Sequence, residues 1–159
     1  MPVKESRMKQ GWLERPFLKI VYAGIGIFYT ASLIYIFFFA RRRWRVFPKR
    51  NFNLVPFRDK FLYLQATTLR VNPYNLEFYK DFVGNILLFV PLPFLVYYFL
   101  GIRSFRKQLL ICAGTSLAIE IIQFIFNIGV ADIDDLILNT TGASIGIALL
   151  SIIPENKFL

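Results

Sequence analysis

The stretch that decides the fold is residues 119–146, IEIIQFIFNIGVADIDDLILNTTGASIG. It carries Glu120 inside an apolar run, then the acidic segment 132–135, and then a second apolar run that contains Asn139. A carboxylate deep in a bilayer costs about 3 kcal/mol on insertion scales, so such a residue normally faces the protein interior and marks a functional site. We therefore predict that two membrane helices meet here beside a polar site.

The composition indicates a membrane protein. The chain has 159 residues, of which 56% are hydrophobic, and its mean hydropathy is +0.51, which is too apolar for a soluble domain of this size. The net charge is +9, and the basic residues border apolar runs, which favours anionic lipid headgroups over nucleic acid as partners. One cysteine and no histidine exclude a disulfide framework, a Cys-based or His-based zinc site, and Ser-His or Cys-His catalysis.

Apolar runs divide the chain into an all-α, integral membrane four-helix bundle. The first run is too long for a signal-peptide core and is stopped by Arg41, Arg42 and Arg43, so it should remain as a helix. In the second run, Pro91 and Pro93 remove backbone donors and predict a bend. The predicted segments are a basic amino-terminal segment at 1–16, spans at about 17–40, 82–101, 108–128 and 135–153, and a tail at 154–159.

The long polar segment between the first two spans contains the motif NLVPF at 53–57. This motif predicts a turn with apolar side chains, because Pro56 holds Val55 out of the α region and Asn53 can cap its neighbours. Residues 58–70 follow, with apolar residues among polar ones. They predict either a short amphipathic helix in the membrane interface or a loop packed over the bundle.

The third span carries one polar face, because its polar residues are spaced by four, four, three and four positions. These residues are Cys112, Ser116, Glu120, Gln123 and Asn127. In the fourth span Asp135 and Asn139 share a face with Gly142 and Gly146. The two glycines, four residues apart, allow a close backbone approach to another helix.

In a four-span topology these polar residues meet at the same membrane surface, so we predict one binding site. Its candidate ligand-binding residues are Asn53, Pro56, Phe57, Asn85, Glu120, Gln123, Asn127, Asp132, Asp134, Asp135 and Asn139. Four arginines beside it, Arg41, Arg42, Arg43 and Arg58, are expected to hold phosphate or a lipid headgroup. We expect no cofactor and no metal site, because the acidic spacing matches no metal-binding loop.

Four segments in order, NLVPF (53–57), NILLFVP (85–91), IEIIQFIF (119–126) and DIDDLILNTTGASIG (132–146), resemble the VanZ-like family of bacterial membrane proteins. The resemblance implies a multi-pass protein of the bacterial cell membrane, linked in the family's namesake to teicoplanin-type glycopeptide resistance. Two positions depart from the family pattern.

The first departure is Pro93, where many relatives have glycine. The second is residues 129–131, which lack the arginine that often precedes the acidic motif. If that arginine pairs with the carboxylates, another cation must do so here, with Arg41 to Arg43, Arg58 or Lys80 as the candidates.

Three functions remain open from the sequence. The preferred one is binding of a lipid-linked cell-wall precursor or a glycopeptide-related ligand, with membrane lipids as further partners and no nucleic acid. The second is a membrane enzyme acting on a polyprenyl or phospholipid phosphate, with Glu120 and Asp135 as candidate catalytic residues and a divalent cation held by the Glu/Asp cluster. The third is a non-catalytic membrane scaffold. The count of basic residues does not decide which side the site faces; the resemblance favours the external side.

Overall fold

The computed structural model describes residues 16–39, 52–58, 60–61, 73–128 and 130–153, and it confirms the all-α membrane architecture. Within these residues four helical segments are long and apolar enough to cross a membrane. They are Lys19–Phe39, Tyr79–Leu100, Phe105–Phe126 and Ile133–Ile152. Each lies within a few residues of a predicted span.

The secondary structure is almost entirely helical. In chain order the elements are α1 (Pro16–Ile34) with a π-helical turn (Tyr35–Phe39), β1 (Phe52–Asn53), α2 (Pro73–Phe89), α3 (Leu92–Leu100), α4 (Phe105–Phe126), β2 (Ala131–Asp132) and α5 (Ile133–Ile152). Of the predicted interfacial helix, residues 58, 60 and 61 are described and are helical. The rest of that prediction lies outside the described residues.

The second span consists of two helices, where the sequence predicts one bent helix. α2 ends at Phe89 and α3 begins at Leu92, because Pro91 and Pro93 cannot donate the backbone hydrogen bonds that would continue α2. At this break the carbonyl of Leu88 accepts a hydrogen bond from the Tyr29 hydroxyl of α1 at 2.6 Å. This hydrogen bond connects α1 to the break in the second span.

α5 packs in the middle of the bundle against α2, α3 and α4. Its glycines lie directly on α2 and the residue after it: a Cβ atom at Gly142 would overlap the carbonyl oxygen of Ile86, and one at Gly146 would overlap that of Val90. The close backbone approach predicted for these two glycines is confirmed. It fixes the position of α5 against the carboxyl-terminal half of α2.

A two-residue parallel pair, which the sequence analysis does not predict, joins the segment before α2 to the start of α5. Phe52 pairs with Ala131 and Asn53 with Asp132. α4 ends before this pair at Phe126, and the next residue, Asn127, has the left-handed conformation (φ 54°) that often follows a helix. The NLVPF loop, defined here as residues 52–58, is therefore held against the α4–α5 connection at one end of the bundle.

Candidate functional site

Asp134 attaches the NLVPF loop and the residues just after it to α5. Its carboxylate is fully buried and accepts a hydrogen bond from the Phe57 backbone N–H at 2.6 Å. Its other oxygen accepts one from Lys60 Nζ at 2.8 Å. Phe57 has φ 57°, an uncommon conformation for a residue with a side chain. Both oxygens of Asp134 are therefore occupied by groups of the protein itself.

Asp132 caps the amino terminus of α5. Its Oδ1 accepts the backbone N–H of Asp134 at 2.9 Å and Asn53 Nδ2 at 3.1 Å, and Lys60 Nζ lies 3.8 Å from its Oδ2. Burial raises the pKa of the Asp132 carboxyl, and the capping hydrogen bond and Lys60 oppose the rise only in part. As predicted, Asn53 also caps its own loop, accepting the Val55 N–H at 3.2 Å.

Glu120 faces the protein interior, as an acidic residue in a membrane helix should. Its side chain is 5% exposed, and Oε2 accepts the backbone N–H of Asp132 at 2.9 Å. This bond joins α4 to β2. Glu120, Asp132, Asn53, Asp134 and Lys60 therefore form one connected acidic network at the loop end of the bundle.

Other predicted residues form separate pairs between elements of the bundle. Asn85 Nδ2 donates to Asp135 Oδ1 at 2.6 Å, and Asn139 Nδ2 donates to Ser116 Oγ at 2.9 Å. Gln123 Nε2 donates to the Phe37 carbonyl in the π-helical turn at 2.9 Å. The structure thus distributes the predicted polar residues over several contacts between elements, in addition to the acidic network.

Some sequence predictions need correction. Asn127, predicted as part of the polar helix face, lies after the last residue of α4 as its left-handed cap. The cation beside the aspartates, within the described residues, is Lys60, whereas Arg58 and Lys80 are exposed. Arg41, Arg42 and Arg43 lie outside the described residues.

The side chains of Pro56 and Phe57 are exposed on the loop, so their predicted role in ligand binding remains a prediction. Among the residues that the structure describes, no group of three or more His, Cys, Asp or Glu side chains could hold a metal ion.

Sequence reasoning missed Lys60 as a member of the network. Lys60 follows NLVPF by three residues, but the sequence alone does not show that this segment folds back onto α5. Ser116 was predicted on the polar face of α4, but its pairing with Asn139 was not predicted. Helical spacing identifies such a face, whereas it does not identify a contact between a loop and a helix.

A groove of about 380 Å³ runs beside the acidic network. Its apolar walls come from the NLVPF loop, α4 and α5, with Phe52, Leu54, Leu117, Phe124 and Leu136. Glu120 and Asp132 are the acidic residues in its lining. The groove is therefore almost wholly apolar, and the carboxylates of Glu120 and Asp132 border it.

Membrane-crossing helices packed around inward-facing acids and amides define a multi-pass integral membrane protein. The VanZ/LLP1 family profile matches residues 26–154, and the chain belongs to this family. Protein VanZ of Enterococcus faecium is 30% identical to it over 142 residues, which are 89% of this chain and 79% of that protein. No solved structure matches the chain.

Proposed function

We propose that this protein binds a lipid-linked cell-envelope molecule at one surface of the bacterial cell membrane and so contributes to teicoplanin-type glycopeptide resistance. The resistance part rests on homology, through the family match and the similarity to Protein VanZ. The binding part rests on one observation, the apolar groove that has Glu120 and Asp132 in its lining. We place the groove at the external side, where a glycopeptide acts.

The groove suits a ligand with an apolar chain and a polar head. Leu117, Phe124 and Leu136 offer the chain an apolar wall, and burial of a chain there removes apolar surface from the polar headgroup region. Asp132, whose side chain is 23% exposed, can accept a hydrogen bond from an amino or hydroxyl group. The exposed Arg58 at the end of the loop can pair with a phosphate of the same ligand.

A groove-filling variant tests the proposal. Leu117→Trp places a large ring in the groove, and Leu110→Trp is the matched control, since Leu110 lies on the same helix, is 73% exposed and does not line the groove. The probe is a fluorescent polyprenyl-diphosphate-linked disaccharide pentapeptide, titrated into protein in nanodiscs. We expect binding at least about tenfold weaker for Leu117→Trp and unchanged for Leu110→Trp, a difference of about 1.4 kcal/mol.

The same pair of variants connects binding to resistance. In cells that depend on this protein for teicoplanin tolerance, Leu117→Trp should lower the inhibitory concentration and Leu110→Trp should not. Equal probe binding by the two variants, with equal tolerance, would contradict the proposal.

A scaffold role is the second candidate, favoured by the complete burial and full pairing of Asp134. In this case the acidic network serves only to hold the NLVPF loop on the bundle. Glu120→Gln then lowers thermal stability in detergent, and tolerance falls only in proportion to the amount of folded protein. Loss of tolerance in a fully stable Glu120→Gln protein would exclude the scaffold role.

A further inference from the structure

A second groove, of about 630 Å³, lies between α1 and α3. Its walls are formed by one face of α1, which includes Ala23 and Ala31, and by the last turns of α3, which include Leu95 and Phe99. α1 begins and α3 ends at the end of the bundle opposite the acidic network. This groove shares no residue with the groove beside the acidic network, so it is independent of the proposed function.

The walls of the second groove belong to membrane-crossing segments and are apolar. Ile27 is 72% exposed and Leu100 is 61% exposed, and at this depth of the protein the surrounding solvent is the hydrocarbon of the bilayer. Thr30 is the polar residue of the described lining, and its hydroxyl already donates to the carbonyl of Gly26 at 2.8 Å. The groove therefore suits a hydrocarbon chain and not a polar ligand.

The length of the groove matches one leaflet of the bilayer. From Ala23 to Ile34, α1 rises about 17 Å at about 1.5 Å per residue. One leaflet contributes about 15 Å of a hydrocarbon core that is about 30 Å thick. An acyl chain that enters at the membrane surface therefore fits along the whole groove.

The end of the groove at the membrane surface carries positive charge. Lys19 is exposed, begins the first membrane-crossing segment, and precedes Ala23 by four residues, which places both on one face of α1. A lysine at the end of a membrane helix extends its ammonium group to the headgroup level. The other charged side chains described at this end, Arg103, Arg106 and Lys107, are also basic. This charge favours a lipid with a net negative headgroup.

We propose that the groove between α1 and α3 binds an acyl chain of an anionic phospholipid in the leaflet opposite the acidic network. The chain lies along α1 from Ala23 to Ile34, against Leu95 and Phe99 of α3. The phosphate of the same lipid pairs with Lys19.

A matched pair of lysine variants tests the headgroup contact. Protein in detergent is titrated with phosphatidylglycerol or phosphatidylcholine with identical acyl chains, and bound lipid is counted by native mass spectrometry. Lys19→Gln and Lys107→Gln remove the same charge at exposed positions of the same end, but Lys107 is on α4, which does not line the groove.

We expect the unsubstituted protein to bind phosphatidylglycerol about fivefold more tightly than phosphatidylcholine. Lys19→Gln should lose this preference, and Lys107→Gln should keep it. An unsubstituted protein without the preference, or an equal effect of the two substitutions, would overturn the proposal.

A pair of tryptophan variants tests the chain contact. Ala31→Trp places a large ring in the groove, and Ile25→Trp is the control, since Ile25 lies on the same helix, is 57% exposed and does not line the groove. We expect Ala31→Trp to weaken the binding of both lipids about tenfold and Ile25→Trp to leave it unchanged. Equal lipid binding by the two variants would overturn the proposal.

The same spectra distinguish a lipid from a second copy of the chain, since small residues such as Ala23 and Ala31 also allow two helices to pack closely. A dimer that Ala31→Trp abolishes while lipid binding is unchanged would assign the groove to a second copy and overturn the proposal. The lysine pair tests the proposal without any change to the groove itself.

Discussion

Two buried polar residues at opposite ends of the helical bundle, Asp134 and Gln108, differ in their hydrogen bonds. At the acidic end, Asp134 is fully buried and both of its oxygens accept hydrogen bonds from the loop segment, from Phe57 and Lys60. At the opposite end, Gln108 is almost as buried, but its Oε1 has no partner among the described residues. Burial alone therefore does not show whether every polar atom of a side chain is hydrogen-bonded. The hydrogen bonds left unmade are more informative.

This difference changes the weight of the acidic residues as ligand-binding candidates. Asp134 has no oxygen left over for a ligand without the loss of a contact to the loop. Asp132 is partly exposed and lines the groove, so it remains a candidate that can bind without unfolding the loop. The comparison predicts that substitutions at these positions, two residues apart, have very different consequences.

Asp134→Ala should have the largest effect on stability. The substitution leaves Lys60, whose side chain is 14% exposed, without its closest anion and leaves the Phe57 N–H without its acceptor. Breaking a buried ion pair costs about 3–5 kcal/mol, and because Lys60 keeps some contact with water we expect a loss of about 3 kcal/mol. The measurement is the free energy of unfolding in mixed micelles, titrated with a denaturing detergent.

A double variant provides the control for this prediction. Lys60→Met with Asp134→Leu replaces both charges by apolar side chains, so no unpaired charge remains and part of the lost stability should return. A loss below about 1 kcal/mol for Asp134→Ala would instead put the pair in the class of surface ion pairs, and the contrast between the two ends would no longer hold.

Gly142→Ala should have the next largest effect. A Cβ at Gly142 would overlap the Ile86 carbonyl, whereas a Cβ at Gly114 would have no atom within 4 Å. Overpacking costs about 1–3 kcal/mol, because α5 must move away from α2 and both ends of the bundle then shift. Gly114→Ala, the matched control in α4, should be neutral or stabilising by up to about 1 kcal/mol. Equal unfolding free energies for the two variants would contradict the close contact.

The sequence was sufficient to predict those features that depend on periodicity and composition. Hydropathy located the membrane spans, and helical spacing placed Ser116, Glu120 and Gln123 on one buried face. Gly142 and Gly146 predicted a close helix contact without naming α2 as the partner. In each case the physical cause lies within one segment of about twenty residues.

Features that depend on contacts distant in sequence could not be predicted. Lys60 and Asp134 are 74 residues apart, and the pairing of β1 with β2 joins segments with weak strand patterns of their own. Gln108 is only the first residue of a predicted span, and its position in the sequence does not reveal that one amide oxygen has no partner among the described residues. The left-handed cap at Asn127 likewise depends on where α4 ends, and helix ends are the least certain part of a pattern.

Asp132→Asn should have the smallest effect, and its pH dependence gives the sharpest contrast with Asp134. Burial raises the pKa of Asp132 in the folded protein, so the folded state binds this proton more tightly than the unfolded state does. The resulting stability is fully present below about pH 4, the ordinary range of an aspartate, and is lost as the pH rises through the folded-state pKa.

Asparagine caps a helix as well as aspartate does and carries no charge to bury, but it also gives up the attraction to Lys60 at 3.8 Å. Because the side chain is partly exposed, we expect Asp132→Asn to stabilise the protein at neutral pH by no more than about 0.5 kcal/mol, with the gain disappearing in acid. Unfolding titrations of both proteins across this pH range measure the difference. If Asp132→Asn instead cost as much stability at neutral pH as Asp134→Ala, Asp132 would have to be counted with Asp134 as a structural residue, and the groove would lose its partly exposed carboxylate.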